Sequence, residues 1–242
     1  MSCSVMLKQI SAKIGENVLF ENINLKISHK EKIVIIGENG CGKSTLLEII
    51  GGLRKPQNGE IELFHHKINE IADFEKFRNY IGYLFQNSDE QFINPTVFED
   101  VTFGLYAQNE MIKNAKNSDF NEHLIKSHGF NELKILNENE IYKKTEEILR
   151  NLEIWHLKDK IVFHLSGGEK KLVSLAGVLI TNPQIILLDE PTTALDFKMQ
   201  ERLCDILSNL KITQIIVSHD KEFISNIADK VFYLNKNGLL AR

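Results

Sequence analysis

Short apolar runs at 33–36 and 185–188 go without interruption, and a third such segment spans 214–217. Runs this short, built of β-branched and aliphatic residues, predict strands buried on both faces, as in a parallel sheet. Other segments alternate. Asn22, Asn24, Lys26 and Ser28 interleave with Ile23, Leu25 and Ile27, the pattern of a sheet with one wet face. Short strands are therefore expected over 5–10, 18–20 and 23–27, with a turn at Gly15-Glu16-Asn17. Pro56-Gln57-Asn58-Gly59 then turns the chain into another strand over 60–64, so an antiparallel sheet flanks the parallel core, which also takes 80–85. Helical spacing takes over elsewhere. A helix opens near Lys43 and ends at Gly51-Gly52; a second covers 141–152, with Ile141, Ile148, Leu149 and Leu152 on one face; a third carries Leu172, Leu175, Ala176 and Leu179. From about 108 to 140 the chain is rich in Asn, Lys, Glu and His, and reads as a surface insertion with two possible short helices.

Composition narrows the class. A length of 242 residues predicts one to two domains, and 43% hydrophobic with 26% charged residues predicts an ordinary soluble globular protein. The net charge of -4 gives no general attraction to nucleic acid. No apolar run approaches the ~20 residues of a membrane span. The start, MSCSVMLKQIS, lacks the features of a signal peptide, so a cytoplasmic location is expected. Cys3, Cys41 and Cys204 are scattered and lack C-x-x-C spacing, which predicts free thiols rather than disulfides or a zinc site.

The candidate chemistry lies at the ends of the predicted strands. Gly37, Gly40, Gly42, Lys43 and Ser44 fit G-x-x-x-x-G-K-[ST] between a strand and a helix, where backbone N–H groups can turn inward around a phosphate chain. Lys43 adds a point charge for the outer phosphates, Ser44 offers a hydroxyl to Mg²⁺, and the following helix directs its positive end at the same anion. Strand 185–188 ends in Asp189-Glu190, and two adjacent carboxylates there are costly unless a cation or a proton shares the site. Beside a phosphate loop, Asp189 can serve Mg²⁺ while Glu190, pointing the other way, orients and deprotonates a water. A lone Gln86 or His219 at a strand end is most often structural. Strands ending in Gly37, Gln86, Asp189 and His219, however, deliver to the C-terminal edge of one sheet, where ligands of open α/β folds bind.

Two features stay open on residue type alone. Ser166 and Glu169 fit the S-x-x-E capping box, a complete structural account, yet the same glycine-rich terminus leaves N–H groups where an anion could bind. Residues 79–111 hold five acidic residues (Asp89, Glu90, Glu99, Asp100, Glu110) and no Lys or Arg, interleaved with Phe92, Phe98, Phe103 and Tyr106. That run reads equally as a solvated acidic face or as a partner-binding surface.

Taken in order, the motifs resemble the ATP-binding cassette (ABC) ATPases over almost the whole chain. GENGCGKST (Gly37, Glu38, Asn39, Gly40, Cys41, Gly42, Lys43, Ser44, Thr45) stands as Walker A and Gln86 as the Q-loop glutamine. Leu165, Ser166, Gly167, Gly168 and Glu169 stand as the signature, IILLDE as Walker B plus the base Glu190, Ala194-Leu195-Asp196 as the D-loop, and His219 as the switch histidine. The resemblance implies an α/β fold of the P-loop NTPase (RecA-like) type: a parallel-sheet core with an antiparallel β subdomain and an α-helical subdomain. One cassette domain is expected over 1–242, with the core in 1–86 and 165–242 and the helical subdomain in 87–164, the insertion at about 108–140 included. It also implies ATP and Mg²⁺, with Ser44, Gln86 and Asp189 at the metal and Glu190, His219 and Gln86 in hydrolysis. A head-to-tail homodimer, or a heterodimer with a second cassette subunit, would place ATP between Walker A of one subunit and Ser166-Gly167-Gly168 of the other. No nucleic-acid partner is implied.

Within that superfamily, YLFQNSDEQFINPTVFEDVTFGL is similar to the ATPase subunits of energy-coupling factor (ECF) importers, through Asn87, Asp89, Gln91, Pro95-Thr96-Val97, Glu99-Asp100-Val101 and Phe103-Gly104. This implies an ATPase energising the uptake of cobalt, nickel or a vitamin from the cytoplasmic face of the membrane, alongside an ECF-type transmembrane subunit and a substrate-capture membrane subunit. The transmembrane subunit would dock in a groove with Asp89, Glu90, Glu99 and Asp100 at its rim and Phe92, Phe98 and Phe103 on its floor. The alternative is a soluble cassette not dedicated to transport, such as an iron–sulfur cluster assembly ATPase. Departures from the family pattern are Ile14 where an adenine-stacking aromatic is expected, Glu169 for Gln, Lys170-Lys171 for Lys-Arg, and the long insertion. The chain stops soon after Tyr233, so a C-terminal extension is expected to be short or absent.

Overall fold

The computed structural model describes residues 3–114, 124, 130 and 132–241. The continuous apolar runs are the middle of a six-stranded sheet. It holds β3 (Lys32–Ile36), β6 (Ile81–Leu84), β7 (Ile185–Asp189), β8 (Thr213–Val217), β9 (Lys230–Asn235) and β10 (Gly238–Ala241), in the order β10-β9-β3-β8-β7-β6. All neighbours are parallel except β10 against β9. Because side chains alternate across a strand, Ile33, Ile35, Ile185, Leu187, Ile215 and Val217 face one core. Val34, Leu84, Ile186, Leu188 and Ile216 face the other. Both faces are covered, so each of these side chains is fully or almost fully buried and contributes ~1.5–3 kcal/mol by leaving water.

The first face is covered by α1 (Lys43–Ile50) and by an antiparallel sheet of β1 (Cys3–Ile14), β2 (Asn17–Ser28), β4 (Asn58–Leu63) and β5 (His66–Ile68), ordered β2-β1-β4-β5. The three short strands expected before residue 28 are two strands of 12 residues each. Pairing runs through the polar interruptions because Gln9 and Asn22, both at φ 53, form bulges rather than ends. Their freed N–H groups donate to Asn24 Oδ1 and Ser11 Oγ at 3.0 and 3.1 Å.

A second body of helices has its own apolar centre. In it α2 (Val97–Asn114), α3 (Glu138–Asn151) and α4 (Gly167–Leu179) pack Val101, Leu105, Ile141, Leu149, Leu172 and Ala176 together. The helix expected over 141–152 starts three residues earlier, where Asn137 and Glu140 form a capping box. Helices α5 (Phe197–Asn209) and α6 (Lys221–Ile227) cover the second sheet face.

The insertion differs from its reading as a surface element. Residues 108–114 simply continue α2, and most of the stretch expected to hold two short helices lies outside the described residues. Leu124 and Phe130, however, are buried in the core of the antiparallel sheet. Phe130 stacks on His29 at 5.7 Å and meets Phe64 edge-on at 4.9 Å. An aromatic ring in a polar stretch finds its burial in a distant core, which composition alone does not reveal.

Candidate active site

The order β6-β7-β8-β3 brings four strand ends side by side, and these ends carry Gln86, Asp189-Glu190, His219 and Gly37. At the β3 end the chain enters the phosphate loop. A Cβ at Gly37 would stand 2.6 Å from the Leu234 carbonyl oxygen, so only glycine lets the loop leave the sheet there. Gly42 has φ 100 and stands over Phe20, whose ring would lie 3.0 Å from a Cβ. Helix α1 starts directly after Gly42 with no side-chain cap and no acidic residue in its first turn, which leaves its N–H groups and positive end facing the loop. Lys43 is almost fully buried, and its Nζ lies across the loop, donating to the carbonyls of Gly37 and Glu38 at 2.9 Å each. A cleft of about 1030 Å³ opens alongside, lined by Gly37, Glu38, Asn39 and His219. Ile14 sits at the β1–β2 hairpin tip, 53% exposed, and Phe20 beneath Gly42 is fully buried and offers no face to a base.

Across from the loop, the Asp189 carboxylate is buried and hydrogen bonds to Ser44. Burial pushes its pKa up, Glu48 adds to the rise, and Ser44, Lys43 and Lys171 oppose it. Its Oδ1 is buried without a hydrogen-bond partner. An orphaned buried carboxylate oxygen beside a serine hydroxyl is a donor set suited to a hard divalent cation, so these residues fit Mg²⁺. Glu190 points elsewhere. Its backbone is held at φ 45, an unusual conformation for a non-glycine residue. The carboxylate receives the His219 backbone N–H and stands 3.4 Å from the His219 ring Nε2. Burial raises the Glu190 pKa above that of an ordinary carboxylate, against the opposing charges of His219 and Lys43. A carboxylate that resists ionisation holds an abstracted proton more readily, which is the property of a general base.

The signature residues lie elsewhere in the chain's own fold. Ser166 caps α4 with Glu169 in a complete capping box, and no hydrogen bond or ion pair joins 165–169 to the phosphate loop among the described residues. Asp196 caps α5 by accepting the Met199 N–H at 2.9 Å. In the acidic segment, Asp89 pairs with Lys170 at 2.8 Å, Glu90 accepts from Asn87, and Glu99 from Thr96. Asp100, half-buried, accepts the N–H groups of Ile93 and Asn94, so it braces a turn. Phe98 packs on Tyr142, and Phe92 meets Phe163. The most exposed apolar side chains there are Ile93 at 69% and Phe163 at 55%, neither of which the sequence reading singled out. It also missed the structural role of Lys171, a buried lysine whose pKa falls to about 8 through desolvation, with Asp189 opposing the fall. The signal was its position one turn before Leu175 on the apolar face of the helix.

A family model described as ABC transporter matches residues 20–193. The chain is 41% identical over 226 residues to a Brucella suis protein named as an ABC transporter ATP-binding protein, spanning 93% of this chain and 83% of that one. It is 36% identical over 223 residues to the energy-coupling factor transporter ATP-binding protein EcfA of Methanothermobacter thermautotrophicus, spanning 90% of this chain and 63% of EcfA. Among solved structures it is similar to a dimeric ATP-binding cassette in a post-hydrolysis state bound to ADP and Pi (TM-score 0.78, 30% identity, 97% of this chain and 96% of that one). It is also similar to cbiO1 from Clostridium perfringens, part of the ABC transporter complex cbiONQ (TM-score 0.75, 29% identity, 99% and 88%). The chain belongs to the ABC transporter family and is its ATP-binding, ATP-hydrolysing component. No described helix is long and apolar enough to cross a membrane.

Proposed function

We propose that the chain is the energising ATPase of an ECF-type micronutrient importer, working at the cytoplasmic face of the membrane as one half of a cassette dimer. Lys43 and the uncapped start of α1 bind the phosphates. Ser44 and Asp189, with Gln86, would hold Mg²⁺, whose positive charge offsets that of the phosphates. Glu190, fixed by His219 and by its unusual backbone, takes a proton from the attacking water, and His219 and Gln86 orient the site around the terminal phosphate. Because Ser166-Gly167-Gly168 lie away from their own phosphate loop, the second cassette completes the site with its signature; the dimeric cassette of similar fold supports this reading. The observation that carries the importer assignment is the 86–106 run beside the nucleotide edge, together with likeness to EcfA and cbiO1. The membrane subunit docks there, with Ile93 and Phe163 as its apolar contact; cobalt, nickel or a vitamin is the solute class. Purification from native membranes with identification of partners tests it: the expected partners are one transmembrane coupling subunit and one solute-capturing membrane protein. Recovery with soluble assembly factors alone overturns it.

A further inference from the structure

We propose that Lys171, assisted by Gln91, is a positioning residue for ATP hydrolysis: it binds the backbone at Phe85 and Gln86 to helix α4, so that Gln86 is presented in one direction and moves with the signature. Strand β6 ends at Leu84, so the carbonyls of Phe85 and Gln86 are outside its ladder. Lys171 reaches both, Nζ donating to Phe85 O at 3.2 Å and to Gln86 O at 2.8 Å. A lysine that is 3% exposed carries a costly buried charge, and a methionine would fill the same volume without that cost. What the lysine adds is a pair of charge-assisted bonds to two consecutive carbonyls, which fix the orientation of the peptide between them.

Gln91 closes the other side. Its Oε1 accepts the Phe85 N–H at 3.3 Å while its Nε2 donates to Ser174 O at 3.0 Å, one turn along the same helix. Lys170 adds an ion pair to Asp89 at 2.8 Å. Residues 85–91 are therefore tied to three successive contact points on α4, whose first turn carries the signature. A group that senses the terminal phosphate on one side of the subunit is thereby mechanically continuous with the terminus offered to the second cassette.

The proposal rests on the role assigned to Gln86 above, and the experiment separates the two. In the full-length protein, Lys171→Met should lower kcat roughly tenfold, as expected when a catalytic group is misplaced, with ATP affinity within about twofold of the parent. Lys171→Arg, which can still donate to both carbonyls, should recover most of the loss. In a Gln86→Ala background, Lys171→Met should cost nothing further, because its effect passes through Gln86. Equal losses in both backgrounds overturn the proposal and leave Gln86 in place; an unimpaired Gln86→Ala overturns the role of Gln86 and the proposal with it. Gln91→Leu, which removes the second tie without touching the lysine, should show the same pattern with a smaller loss, and keeps the test open if Lys171→Met does not fold.

Discussion

Helix α1 begins just after Gly42 and helix α4 with the pair Gly167-Gly168, and the proposed function assigns both termini to phosphate, yet they are finished differently. The α1 terminus has no side-chain cap, and a lysine lies beside it. The α4 terminus is closed: Ser166 Oγ and Glu169 exchange hydrogen bonds, and the bonds from Ser166 hold the Glu169 carboxyl below the usual carboxylate range. An uncapped terminus keeps its N–H groups available at a cost in helix stability, so it suits a tight primary site. A closed one is stable without a ligand and must exchange a bond already made, so it suits a second, conditional contact. Under the proposed function, the contrast would separate binding in one subunit from commitment between two.

The largest expected effect tests the open terminus. Cys41 lies in the loop and is partly accessible, whereas Cys3 and Cys204 are buried. A bulky thiol reagent should therefore label Cys41 first, abolish ATP binding in labelled molecules, and be held off by MgATP, with labelling read by mass spectrometry. Labelled protein with full activity would show that the loop does not enclose phosphate. Next comes Glu190→Gln, which should bind ATP but hydrolyse it at least ~10²-fold more slowly and accumulate as an ATP-locked dimer on size exclusion. Placing Ser166→Ala on top should release that dimer. Alone, Ser166→Ala removes a cap worth ~1 kcal/mol and should lower Tm by about 2–4 °C, leaving the monomer's ATP affinity unchanged. A matching loss of affinity in the monomer would erase the distinction between the two termini. The smallest effect concerns the base. Ile14 gives apolar contact without stacking, so ATP and GTP should bind within roughly tenfold, and Ile14→Tyr should favour ATP by a stacking contribution of about 1–3 kcal/mol. Strong ATP selectivity in the parent would require a stacking group other than Phe20, which is buried.

What the sequence disclosed follows from how local each signal is. The phosphate loop, the paired carboxylates and the buried strands were legible because their chemistry is written in neighbouring residues: Gly37 to Ser44, Asp189-Glu190, the run 185–188. The bulges at Gln9 and Asn22 were not, since a residue that interrupts an alternation looks the same whether it ends a strand or kinks it. The acidic run looked like one surface. In the structure each of four carboxylates has its own intramolecular partner: Asp89 pairs with Lys170, which is far away in sequence, while Glu90, Glu99 and Asp100 bond within seven residues as local caps and a turn brace, so charge alone did not show which of them face outward. Lys171 was passed over as a substitution within a motif, although its partners, the carbonyls of Phe85 and Gln86, carry no sequence signal at all.

Phe130 has a consequence for how the molecule comes apart. It leaves from the segment between α2 and α3 and is planted among His29, Phe64 and Tyr80, in the core of the other body. Such a contact closes a long loop, which slows folding because the chain entropy is lost before the contact is gained. Once made, it couples the melting of the helical body to that of the β-rich one, so heat or urea should dissolve both in a single cooperative transition rather than peeling the helices away first.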